Sequence, residues 1–258
     1  MAISTIIKAK ELTGKVAVIT GASKGLGKAM ALALAEAGAK LALVSRDETL
    51  LAETAAAIAA QDAEAGVFPA DISDEAQVLA LEKAVAARFG RIHILINNAG
   101  INLRKPVTDF TLEEWNRIQT TNVTGAFLMC RSFVPHLKGQ GYGRILNMAS
   151  MFGHVSLPGR TAYSTSKAAL LGFTKALALE LAPEKITVNA ISAGPFATEI
   201  NKALTENAEL TQFFLSRIPV GRWGKVEEIG QLAVYLCSEA AGFITGTDIV
   251  IDGGWTAQ

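Results

Sequence analysis

Only two cysteines and three histidines occur among the 258 residues. Cys130 and Cys237 lie far apart, neither in a CxxC motif nor beside a histidine. A disulfide framework, a thiol redox pair and a metal cluster therefore have no basis in the sequence, and two buried reduced thiols in a cytoplasmic protein are expected. Charge of one sign is also lacking, with 24 basic against 24 acidic residues. Short pairs such as Arg104-Lys105 make no basic patch, which argues against nucleic acid or an anionic membrane surface as partner. No apolar run approaches the ~20 residues of a membrane span. Met1 to Glu11 is short and mixed, without the apolar core of a leader peptide. There is no Pro/Ser/Gly-rich linker, composition break or fixed-period repeat, so residues 1–258 are expected to form a single domain.

What is present is alternation. Short apolar runs rich in β-branched residues recur at Lys15–Thr20, Leu41–Val44, Val67–Ala70, Ile92–Ile96, Gly143–Met148, Ile186–Ile191 and Asp248–Ile251. Helical stretches separate them. Lys28–Ala37 closes at Gly38, a second helix runs from a cap at Asp47 to Ala60, and a third runs from a cap at Ser73 to Phe89. Thr111 opens a long helix with capping-box chemistry, a break near Asn122 and an end at Leu137. Another helix carries Tyr163 and stops at Leu181 before Pro183, and a last one spans Lys225–Ser238. Strands that are apolar throughout and alternate with helices predict an α/β fold, a mainly parallel seven-stranded Rossmann sheet doubly wound with helices on both faces. Residues 195–224 are polar and partly helical, the composition of a substrate-binding loop or lid.

Thr20-Gly21-Ala22-Ser23-Lys24-Gly25-Leu26-Gly27 joins the end of a strand to the start of a helix. Glycines there let backbone approach a pyrophosphate, and a helix N-terminus offers N–H donors and partial positive charge, so the turn reads as a dinucleotide cradle. The second strand ends in Val44-Ser45-Arg46-Asp47. An NAD binder places an acid at that strand end. Ser45 and Arg46 instead suit a 2′-phosphate, with Lys24 as a second cation, so NADP(H) is preferred and NAD(H) remains possible. Asp47 is the rival, one residue away in register. Asn97-Asn98-Ala99-Gly100 and Met148-Ala149-Ser150 each follow a strand, where ligands of open parallel sheets lie.

Tyr163-Ser164-Thr165-Ser166-Lys167 sets a phenol and an ammonium one helical turn apart. A tyrosine titrates near pH ~10, and a fixed cation beside it favours the phenolate. Such a phenol exchanges protons with a carbonyl or an alcohol.

Taken together, Thr20-Gly21-x-x-x-Gly25-x-Gly27, Asn97-Asn98-Ala99-Gly100, Asn122, Ser150, Tyr163-x-x-x-Lys167 and Asn189-Ala190 resemble the short-chain dehydrogenase/reductase family, in family order along nearly the whole chain. One departure is Ala193-Gly194-Pro195-Phe196, where the family commonly has Pro-Gly. The resemblance implies hydride transfer between a nicotinamide and a carbonyl or alcohol carbon without a metal. It implies Tyr163 as acid/base, Lys167 lowering its pKa and bonding the nicotinamide ribose, Ser150 positioning the substrate oxygen, and Asn122 holding a water. It further implies Asp71 and Ile72 at the adenine, Asn98, Ala99, Gly100 and Gly194 along the cofactor, Thr198 at the carboxamide, and a homotetramer. His93 and His136 match nothing.

The ending Arg217 to Gly224 and Asp252-Gly253-Gly254-Trp255 is similar to the gluconate 5-dehydrogenase and 2-deoxygluconate 3-dehydrogenase branch. A sugar acid or polyol is then the expected substrate, with Arg104 pairing a carboxylate and Arg160 or His154 assisting. Reduction of 3-oxoacyl thioesters or of general ketones is the alternative, and a non-catalytic dinucleotide-binding regulator is the reading from another class.

Overall fold

The computed structural model describes residues 10–198 and 207–258. Seven strands form one sheet: β1 Val16–Thr20, β2 Lys40–Ser45, β3 Ala65–Pro69, β4 Ile94–Asn97, β5 Gly143–Met148, β6 Ile186–Ala193 and β7 Asp248–Ile251. The order is β3-β2-β1-β4-β5-β6-β7, and every neighbouring pair is parallel. The expected "mainly" parallel sheet is thus wholly parallel among the described residues. The helices are α1 Gly25–Glu36, α2 Glu48–Ala59, α3 Glu75–Phe89, α4 Leu112–Gln119, α5 Gly125–Leu137, α6 Thr161–Leu181, α7 Ala208–Leu215 and α8 Val226–Cys237.

Successive strand side chains point to opposite faces. Ala17, Ile19, Leu41, Leu43, Ile94 and Ile96 pack with Met30 and Leu34 of α1, Leu51 of α2 and Ile229 of α8. Val18, Ala42, Val44, Leu95 and Ile145 pack on the other face with Val78 of α3, Phe133 of α5 and Leu181 of α6. Burying each such side chain contributes roughly 1.5–3 kcal/mol, which explains why strands apolar at every position are needed.

Local signals place most boundaries. Asp47 caps α2 by accepting from Leu50 N at 3.0 Å, and Thr111 with Glu114 forms the expected capping box of α4. The cap of α3 is Asp74, which accepts from Gln77 N at 3.1 Å, rather than Ser73. Ser73 turns back to Asp71, donating from both N (2.9 Å) and Oγ (2.6 Å). An acid one residue nearer the helix competes better for the orphan N–H groups. The expected break near Asn122 is a π-turn, Thr120–Thr124, joining α4 to α5.

The strand order reverses between β1 and β4, which opens a crevice at the carboxyl ends. At the end of β6, a Cβ on Gly194 would lie 2.5 Å from Asp252 Cα, so the backbone of β6 runs against the turn after β7. That turn is built by the Asp252 carboxylate, which accepts from Gly254 N (2.9 Å), Thr256 N (2.8 Å) and Thr256 Oγ1 (2.7 Å). Gly194 is therefore required by packing whatever precedes or follows it. Gly194→Ala is expected to cost about 1–3 kcal/mol in denaturant unfolding, the range for overpacking a tight site.

Candidate functional site

One cavity of about 990 Å³ runs along the carboxyl ends of the strands. It is lined by Gly21, Ser23, Lys24, Gly25, Leu26, Gly27, Arg46, Asp71, Ile72, Asn98, Ala99, Gly100, Ser150, Tyr163, Lys167, Gly194 and Thr198, so all the cofactor positions read from the sequence share its wall.

At one end lies the glycine turn. Gly21 and Gly25 hold φ of +66° and +57°, a conformation costly for other residues. A Cβ on Gly27 would fall 2.1 Å from Gly21 O, so only glycine lets α1 begin this close to the turn. Asn98 Nδ2 donates to Thr20 O (2.9 Å) and Gly21 O (3.2 Å), and Asn98 N and Ala99 N both donate to Thr20 Oγ1 (3.0 Å each). These bonds lock the ends of β1 and β4 at the crevice. Helices α2, α3 and α4 carry side-chain caps, but α1 has none and no acid in its first turn. Its N–H groups and dipole are left for an anion such as a pyrophosphate, so these residues fit a dinucleotide.

The strand-end residues divide as follows. Asp47 is committed to its helix cap, and Ser45 Oγ accepts from Asp47 N at 3.2 Å. Arg46 is well exposed and lies 3.6 Å from Asp71 across the cavity edge. Burial pushes the Asp71 carboxyl up, but the two Ser73 hydrogen bonds and Arg46 outweigh it and hold it below the ordinary range.

At the other end, α6 presents Tyr163 and Lys167. Lys167 is buried, at 5% exposure, and its Nζ donates to Met148 O at 2.6 Å. Nζ also stands 5.6 Å from the centre of the Tyr163 ring. Burial pushes the ammonium down to about 8. Ser150 lines the same wall, and its Oγ accepts from Phe152 N (3.1 Å) and donates to Ala193 O (3.5 Å). Burial raises the phenol above its ordinary value, while Ser150 and Arg160 oppose the rise. Arg160 is thus a second cation near the phenol, beside Lys167, whose Nζ is held by Met148 O.

Asn122 does not line the cavity. The π-turn aims its amide at the Ile101 backbone, accepting from Ile101 N (2.8 Å) and donating to Ile101 O (3.0 Å) and Ser166 Oγ (3.0 Å). It thereby fixes the segment after Gly100 beside Lys167, whose Nζ would be 3.5 Å from a Cβ on Gly100.

The three substrate candidates separate. His154 is turned out, its Nε2 bonded to Asp248 Oδ2 (2.5 Å) and Ser192 Oγ (3.3 Å), and it does not line the cavity. This corrects its expected part: the ring follows the nearest carboxylate, on β7. Arg104 is exposed and also off the cavity wall. Arg160 is on the wall and only 6% exposed. Its guanidinium lies 4.9 Å over the Phe152 ring, and burial together with Arg104 holds it down at about 10. Sequence reasoning missed Asn102, Phe152, Phe214 and Trp223, which line the same cavity. Asn102 follows the Asn-Asn-Ala-Gly turn and was a legible signal, whereas the aromatic residues carry none beyond their hydrophobicity.

A buried ammonium without a carboxylate opposes folding. Its pKa falls from 10.5 to about 8, so the folded chain binds fewer protons between those values. The penalty is full below pH 8 and is relieved as pH rises through 10.5. Lys167→Met is expected to unfold at higher denaturant than wild type at pH 7, by about 1–3 kcal/mol at 1.36 kcal/mol per pKa unit, with the gain shrinking toward pH 10.5.

The family model described as enoyl-(acyl carrier protein) reductase matches residues 21–256. Gluconate 5-dehydrogenase of Gluconobacter oxydans (strain 621H) is 34% identical over 247 residues, covering 96% of each chain. D-threitol dehydrogenase of Mycolicibacterium smegmatis is 40% identical over 252 residues, covering 96% of this chain and 95% of that one. A crystal structure of a gluconate 5-dehydrogenase from Burkholderia cenocepacia J2315, in complex with NADP and tartrate, superposes with a TM-score of 0.93 at 33% identity, covering 98% of this chain and 100% of that chain. Family match, near-complete relatives and a shared fold agree with the site geometry, and the chain belongs to the short-chain dehydrogenase/reductase family of oxidoreductases.

Proposed function

We propose that the protein interconverts a secondary alcohol and a ketone on a polyhydroxy acid or polyol, with NADP(H) as the preferred nicotinamide cofactor. The observation that carries the reaction is that Ser150, Tyr163 and buried Lys167 share the wall of the one cavity whose far end is the glycine cradle.

When bound, the nicotinamide supplies or accepts the hydride. Ser150 Oγ and the Tyr163 hydroxyl hold the substrate oxygen where charge develops. Tyr163 gives its proton to that oxygen in reduction and takes it back in oxidation. Lys167 keeps positive charge beside the phenol, with Met148 O fixing its Nζ and leaving its other protons for the cofactor ribose. Asn122 holds the strand-end segment in register with this pair. Asp71 and Ile72 would meet the adenine, and Gly194 and Thr198 the nicotinamide, a reading supported by all four lining the same cavity.

The preference for NADP(H) is supported by Asp47 being spent as a helix cap, by Arg46 and Lys24 on the cavity wall, and by the NADP in the Burkholderia relative. A sugar acid or related polyol is supported by the gluconate and threitol dehydrogenases among the relatives and by the tartrate in that same crystal. A cytoplasmic homotetramer is supported by two buried free thiols and by apolar side chains left on the outside, Leu179 of α6 (81% exposed) and Val250 of β7 (40%) among them. Among the described residues no helix is long and apolar enough to cross a membrane.

Three outcomes check this reading. Tyr163→Phe should abolish turnover by at least about a thousandfold while leaving NADP binding intact, since general acid–base catalysis contributes 10²–10⁴ and orientation adds to it; near wild-type turnover would remove Tyr163 from the chemistry. Arg46→Asp should invert the NADP/NAD ratio of kcat/KM, by a factor of at least ten if the cation meets the 2′-phosphate. Light scattering after gel filtration should give four copies per particle.

A further inference from the structure

We infer that Arg160 is the substrate's carboxylate anchor, the residue that makes this cavity select an organic acid over a neutral polyol of the same shape. The inference rests on the proposed reaction and adds the group that reads the substrate's charge.

Arg160 stands at the N-cap of α6, one turn before Tyr163. Arginine is almost never buried unless it is paired. Here it is 6% exposed and on the cavity wall. Among the described residues, no carboxylate or other acceptor is within bonding distance of its guanidinium. The one charged group acting on it from a neighbouring element is a second cation, Arg104. Phe152 covers one face of its plane, and the edges that carry the N–H donors remain.

The anchor is also held in place. Lys105 N donates to Gly159 O at 3.2 Å, tying the segment after β4 to the loop that delivers Arg160. Asn102 lies on that same segment, lines the cavity, and has a buried Oδ1 without a donor. Trp223 also lines the cavity, its ring 5.4 Å from that of Phe214. Both belong to the aromatic cluster against which Tyr163 packs. A fixed fork of donors with no counter-ion, beside the proton-transfer pair, is complementary to a carboxylate.

Tartrate and threitol share a four-carbon skeleton with central hydroxyls and differ in carrying carboxylates or neutral alcohols at the ends. Isothermal titration of the NADP-loaded protein with each is expected to show tartrate binding at least tenfold tighter than threitol. Arg160→Gln should erase that difference while still binding NADP, Arg160→Lys should restore part of it, and Arg104→Gln should change it less than threefold. Equal affinity for the two ligands in the wild type, or an undiminished tartrate preference in Arg160→Gln, would overturn the assignment. Should Arg160→Gln lose NADP binding through misfolding, Arg160→Lys decides: a tartrate affinity equal to wild type or stronger refutes a fork-shaped anchor, and a partial loss upholds it. Loss of the Tyr163 chemistry would leave these affinities unchanged, so the two readings fail separately.

Discussion

An ammonium buried without a carboxylate is the constraint around which this site is arranged. Lys167 is anchored by one carbonyl, Met148 O, at the end of a central strand. To bring α6 that close, the intervening loop must pass over the helix backbone, and Gly153 permits it, since a Cβ there would lie 3.2 Å from the Lys167 carbonyl carbon. Gly100 leaves room on the other side, and Asn122 spends its amide on the segment that follows. Each of these residues answers the same problem: holding a desolvated cation against the end of a parallel sheet.

The second organising element is the crevice where the strand order reverses. Thr20 and Asn98 lock the ends of β1 and β4, and the uncapped N-terminus of α1 opens onto the gap. The cradle and the proton-transfer pair are thus two ends of one cavity because both are products of strand ends on the same edge of one sheet. Ser150, Tyr163 and Arg160 stand together on the wall of this cavity.

Much of this was legible in the sequence because it is local. The capping box at Thr111, the cap at Asp47, the glycine turn and the Tyr163/Lys167 spacing each depend on residues within one or two turns of one another. Where locality failed, the reading failed. Ser73 and Asp74 are adjacent caps, and what separates them is Asp71, which draws Ser73 away. His154 and Arg160 are near one another in sequence, yet one follows Asp248 out to β7 and the other turns inward over Phe152.

The sequence by itself determined the sheet, its layers and the one-turn spacing of Tyr163 and Lys167, because periodic burial and short-range capping are encoded residue by residue. Only the tertiary structure decided which arginine faces the cavity, that the Lys167 ammonium is buried against Met148 O, and that Asn102 and Trp223 share the cavity wall. Those outcomes depend on desolvation and on partners distant along the chain, and neither quantity exists until the strands and helices have packed.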